Sequence, residues 1–141
     1  MIRLHILVPV FALLALQACT PTSTNSGRTV YLDKCAVCHG RSGKGDGPLA
    51  SGLETAPPDL TQIAARRDGV WPVLEVMSIV DGYTTRYLPG TEMPIYDEFL
   101  EGNLVSFDTG NGIRQKAPAG LLAIARYLET LQDSAPTRYV P

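Results

Sequence analysis

The chain has 141 residues, 45% hydrophobic and 18% charged, with a formal net charge of −2. That balance fits one folded domain and excludes both a disordered chain and a multi-span membrane protein. The slight acidic excess argues against nucleic acid as a partner, which would want a basic face.

Residues 1–18 read as a signal peptide, with Arg3 and His5 in a short positive region and an eleven-residue apolar run from Ile6 to Leu16. The run is short for a membrane span. Leu16-Gln17-Ala18-Cys19 resembles a bacterial lipobox, in which Cys19 becomes the lipid-bearing first residue of the mature chain. The alternative is a plainly cleaved signal that ends near a cysteine. Thr20, rather than Asp, follows Cys19 and resembles the outer-membrane pattern more than inner-membrane retention. The chain is therefore expected to be exported, periplasm-facing and lipid-anchored, with the membrane as one partner. Loss of residues 1–18 takes the side-chain charge to −3.

Residues 19–26 combine the lipidated Cys with a Pro/Ser/Thr-rich linker, and 27–134 form the folded domain. The apolar stripe Val30, Tyr31, Lys34-Cys35 predicts a first helix over 27–36. Gly40 to Pro48 holds four glycines in nine residues and predicts a loop of tight turns, able to lie flat against a ring edge. No strand precedes it and the P-loop Lys-Ser/Thr is missing, which excludes a phosphate loop. Asp59 and Gln62 have capping-box spacing, so a short helix is expected to about Arg67, stopped at Gly69. Pro72 fits the first turn of a helix through Val73, Leu74, Val76, Met77 and Val80, ending before Gly82. Tyr83 to Asp97 reads as an extended loop. Residues 104–116 suggest a small hairpin around Thr109-Gly110-Asn111-Gly112. Leu121, Leu122, Ile124, Ala125, Leu128 and Leu131 line the last helix, from Pro118 to Gln132. Pro136 is expected to end the ordered region, leaving 135–141 as a C-terminal tail. The fold class is mainly α.

Cys35-Ala36-Val37-Cys38-His39 is a C-x-x-C-H motif, the attachment signature of a c-type haem. Two thiols three positions apart on a helical turn can each form a thioether with one haem vinyl group, and the adjacent imidazole can bind the iron. A buried porphyrin would also supply apolar volume to a chain with only 7% aromatic residues. The alternatives are a redox disulfide or half of a zinc site. No βαβ pattern surrounds the motif, which weakens a thioredoxin-like reading. After export His39 is the only histidine, so bis-histidine ligation within one chain is excluded. Met77 and Met93 are the available thioethers. Met77 sits at helical spacing among valines and reads as core. Met93 lies in an irregular loop whose Pro94 holds it extended, so Met93 is the expected second ligand.

Taken together, residues 27–132 resemble class I, mitochondrial-like bacterial cytochromes c, of a monohaem lipoprotein type. Gly27 and Tyr31 before the motif, and Ile124 and Tyr127 near the end, match the positions where that family's first and last helices cross. Pro58-x-Leu60 matches its Pro-x-Leu, whose proline carbonyl accepts a hydrogen bond from the proximal imidazole. Ile79-x-x-Gly82, loop, Met93-Pro94 follows the family order. The resemblance implies one haem c, covalent through Cys35 and Cys38, with His39 and Met93 as axial ligands and Pro58 supporting the imidazole. With no open position for substrate, it implies electron transfer rather than catalysis. Redox proteins, whether a dehydrogenase, an oxidase or a reductase, would dock at an exposed haem edge. A five-coordinate haem sensor or peroxidase-like enzyme is the alternative if Met93 does not bind. The connection from Met93 to the last helix is longer than the family's usual one, so residues 97–116 have no counterpart in the resemblance. Their role is left open between a cover for a haem edge and a partner surface.

Overall fold

The computed structural model describes residues 24–84 and 92–140. The expected signal peptide and Cys19 lie outside them. Helical structure begins at α1 (Thr24–Val30), three residues earlier than expected, so the end of the assigned linker belongs to the helix. The run continues through a π-helical turn, Tyr31–Cys35, into α2 (Ala36–His39), with Ala36 N–H donating to the Tyr31 carbonyl. The wider turn carries one extra residue, which rotates α2 by roughly 100° relative to a continuous α-helix. Tyr31 is thereby fully buried in the core, while Cys35, Cys38 and His39 are half-buried.

Leu60–Gln62 and Ala65–Arg67 are separate 3-10 turns rather than one short helix. Asp59 caps the first by accepting from the Thr61 N–H and hydroxyl at 2.8 and 2.6 Å. Gln62 does not close the box. Its amide reaches across to Asp133 at 2.6 Å, a tertiary bond that wins over the local one. Asp68 and Gly69, both at positive φ, end the segment. β1 (Val70–Pro72) leads straight into α3 (Val73–Val80), which buries Val73, Val76, Met77 and Val80 and stops ahead of Gly82 as its sequence predicts. A 3-10 turn at Asp97–Phe99 precedes the antiparallel hairpin β2 (Leu104–Asp108) and β3 (Arg114–Pro118), with Val105 opposite Ala117 and Phe107 opposite Gln115. Phe107 and Ala117 point into the core. α4 (Ala119–Thr130) buries Leu121, Leu122, Ile124, Ala125, Tyr127 and Leu128.

The tail is ordered beyond Pro136, contrary to expectation: β4 (Arg138–Val140) pairs parallel with β1, Trp71 opposite Tyr139. Thr137 N–H donates to the Gly69 carbonyl at 2.9 Å and starts the ladder.

α1 packs on α4. A Cβ on Gly27 would lie 2.5 Å from the Ala123 carbonyl carbon and closer still to its oxygen, so only glycine permits this approach. One turn on, the Tyr31 and Tyr127 rings pack at 5.2 Å between centroids, and Ile124 beside them is fully buried. No helix among the described residues is long and apolar enough to cross a membrane.

Candidate functional site

The last carbonyls of a helix have no partner within it. In α2 the glycine-rich loop supplies partners: Leu49, Gly47 and Gly45 N–H groups donate to the Val37, Cys38 and His39 carbonyls at 2.9, 3.0 and 2.9 Å. A Cβ on Gly47 would come within 2.5 Å of the Val37 oxygen, and one on Gly45, itself at positive φ, would strike the Pro57 carbonyl. The glycines are therefore required by backbone-on-backbone packing against the motif helix and the Pro57–Pro58 segment.

That packing brings Pro58 to His39. The His39 Nδ1 lies 3.4 Å from the Pro58 carbonyl oxygen. A carbonyl can only accept, so Nδ1 carries the proton and the Nε2 lone pair is left for a metal. Burial holds the His39 pKa below its ordinary 6.5, with the Pro58 contact pulling partly the other way. The ring is thus neutral, the form that ligates. Burial, followed by the neighbouring Cys38, pushes the Cys35 thiol up to about 11. Reactive thiol-exchange cysteines have depressed values, the opposite direction from Cys35.

Cys35, Cys38 and His39 face a cavity of about 450 Å³, within the range of cofactor sites. Pro58 and Met93 line the same cavity, while Met77 is buried in the core and does not. The five cofactor-binding residues expected from the sequence are therefore brought to one place, while the expected lipid-attachment residue, Cys19, lies outside the described residues. Much of the wall is apolar, from Leu60, Ile63, Val76, Ile79, Ile124 and Leu128. Paired thiols, a neutral imidazole, a thioether and an apolar wall together fit a haem.

Sequence reasoning missed several wall residues. Tyr96 lines the cavity, packs on Phe99 at 5.3 Å, lies under the Lys34 ammonium and donates to the Lys34 carbonyl at 3.3 Å. Burial, as the largest cause, raises its pKa. Arg67 and Glu75 form an ion pair on the same wall. Glu92 accepts from the Glu54 and Thr55 N–H groups. Apart from its place beside Met93, nothing in the sequence marks Glu92. None of residues 97–116 lines the cavity.

The cytochrome c family model matches residues 25–132, most of the chain, and the chain belongs to that family. A comparison with curated proteins gave no match. The family's chemistry is haem-based electron transfer, and its haem is bound covalently through the two motif cysteines, here Cys35 and Cys38.

Proposed function

We propose that this chain is a one-electron carrier or relay subunit with His39 and Met93 as axial ligands, held at an extracytoplasmic membrane surface through Cys19. When bound, the haem supplies a centre that accepts and returns one electron. The observation that carries the reading is that Met93 shares the cavity with His39, Cys35 and Cys38 while Met77 is sequestered in the core. Two protein ligands leave no position for a substrate, which favours electron transfer over catalysis at the metal. His/Met ligation raises the potential relative to stronger donors. The apolar wall excludes water and disfavours the additional positive charge of the oxidised state, which acts in the same direction.

The anchor has a geometric consequence. With α1 starting at Thr24, only Thr20 to Ser23 separate it from Cys19, and four residues span at most about 14 Å. A domain so closely held exchanges electrons with partners on the same membrane surface. Replacement of Cys19 by Ser should abolish lipid labelling and release the protein from the membrane fraction.

The ligand assignment is tested by visible spectroscopy of the oxidised protein. Wild type should be low-spin with a weak far-red sulfur–iron charge-transfer band. Met93→Ala should lose that band, whereas Met77→Ala should keep it and lose stability, by about 2–5 kcal/mol for a buried methionine. A high-spin wild type that readily binds carbon monoxide would instead support a sensor or peroxidase-like enzyme.

A further inference from the structure

Met93 sits between two anchors. On its C-terminal side Tyr96 holds the segment to the π-helical turn that leads into the motif helix, through the Lys34 carbonyl. On its N-terminal side the anchor is the preceding residue. Glu92 Oε2 accepts from two consecutive backbone N–H groups, Glu54 at 2.9 Å and Thr55 at 3.3 Å. Glu92 and Thr55 both line the cavity, on segments 37 residues apart in sequence. The Glu54–Thr55 segment comes just after the 3-10 turn Ala50–Gly52, which continues from the glycine loop that caps the motif helix. One carboxylate therefore ties the methionine-bearing lip of the cavity to the motif-bearing lip. An ionised carboxylate on two N–H donors makes charge-assisted bonds, stronger than neutral ones.

We propose that Glu92 is a positioning residue for Met93: its carboxylate latches the methionine segment across the cavity mouth and so sets how often the iron's sixth position opens to outside ligands. The inference rests on Met93 being the ligand. Without the latch, the segment loses its hydrogen-bonded tie to Glu54 and Thr55, and local opening becomes easier.

The test uses the haem-loaded protein as wild type, Glu92→Ala, Glu92→Gln and Glu101→Ala, the last an exposed carboxylate off the cavity wall. Imidazole, a neutral probe, is bound to the oxidised protein, and amide hydrogen exchange is followed at Glu54 and Thr55. Glu92→Ala should bind imidazole about tenfold faster, equivalent to ~1.4 kcal/mol, and lose protection at both amides. Glu92→Gln keeps the acceptor oxygen without the charge and should recover most of both properties. Glu101→Ala should match wild type. Unchanged amide protection in Glu92→Ala would show that no latch exists. Lost protection with an unchanged imidazole rate would overturn the positioning role. If Met93→Ala binds imidazole no faster than wild type, the ligand reading itself fails and the positioning role falls with it, while the latch is still judged by amide exchange.

Discussion

The α1–α4 seam allows one substitution to be read with opposite signs at two sites. Gly27 in α1 and Gly120 in α4 are both helical. Alanine is preferred over glycine in a helix by up to about 1 kcal/mol. At Gly120 nothing lies within 4 Å of the added Cβ, so Gly120→Ala should gain about 0.5–1 kcal/mol. At Gly27 the same methyl meets the Ala123 backbone at 2.5 Å or closer, well inside the 3.0 Å limit that real Cβ atoms respect. A side chain could swing aside, but a mid-helix carbonyl cannot, so the two helices must part. Parting them loosens the Tyr31–Tyr127 contact and the packing around Ile124, both fully or nearly fully buried. Overpacking of this kind costs about 1–3 kcal/mol. With the propensity gain set against the upper end, Gly27→Ala should lose about 2 kcal/mol net. The assay is guanidinium unfolding of the haem-loaded protein followed by far-UV circular dichroism, with the two variants run beside wild type. Thermal midpoints should diverge too, at about 4–8 °C per kcal/mol for a domain of this size. If Gly27→Ala is as stable as wild type, or rises in parallel with Gly120→Ala, the close helix approach is wrong.

Tyr31→Phe removes a buried 2.7 Å bond to the Gly40 carbonyl, which keeps only the Gly43 N–H at 3.2 Å. A loss of about 1 kcal/mol in denaturant unfolding is expected, and a neutral result would mean the hydroxyl is not engaged. Asp59 has its pKa lowered below the ordinary 3.8, chiefly by the Thr61 hydroxyl bond. A depressed folded-state value favours the native state fully above the unfolded pKa and is lost as pH falls through the folded one. The stability gap between wild type and Asp59→Ala should therefore be constant near neutrality and shrink below about pH 3.8. A gap that widens in acid would contradict this. A chain ending at Pro136 loses β4 and the bonds from Thr137 and Arg138 to Gly69. It should unfold about 1–2 kcal/mol more easily and expose the β1 amides to exchange, with its visible spectrum unaltered because no residue of 137–140 lines the cavity. A spectral change would mean the tail reaches the site.

The features legible in the sequence were local or periodic. The C-x-x-C-H motif packs its chemistry into five consecutive residues, and α3 and α4 carry apolar stripes that the core takes up, save that Leu74 and Leu131 are only partly buried and Leu131 lies just past the end of α4. The same periodicity separated Met77 from Met93, because a methionine in register with Val73, Val76 and Val80 is already claimed by the core. The losses share a cause in distance along the chain. β4 is three exposed residues whose partner lies 68 positions away, and no alternation in so short a segment announces the pairing. Gln62 abandons the local capping box for Asp133, 71 residues on. The π turn, which begins at the Tyr31 packed on Tyr127, has no sequence signature of its own. Glu92 was invisible because its partners are backbone N–H groups, and backbone donors carry no residue identity.

These connections give the two proposed ligands unequal support. The glycine loop fixes His39 twice. It caps the His39 carbonyl through Gly45, and through the Leu60 N–H bond to the Gly43 carbonyl at 2.7 Å it holds the segment whose Pro58 oxygen orients the imidazole. Backbone and ring of one ligand are thus set by a single bonded unit, close in sequence and tightly packed. Electron transfer benefits from such a unit, since a ligand that does not move on a change of charge adds little reorganisation. Among the described residues, the Met93 segment is tied down by hydrogen bonds at Glu92 and Tyr96, to two different stretches of chain. Local opening proceeds through the least-buried hydrogen bonds first. On the proposed ligation, the Met93 sulfur is therefore expected to release more readily than His39, whose backbone and ring are both held through the glycine loop and Pro58.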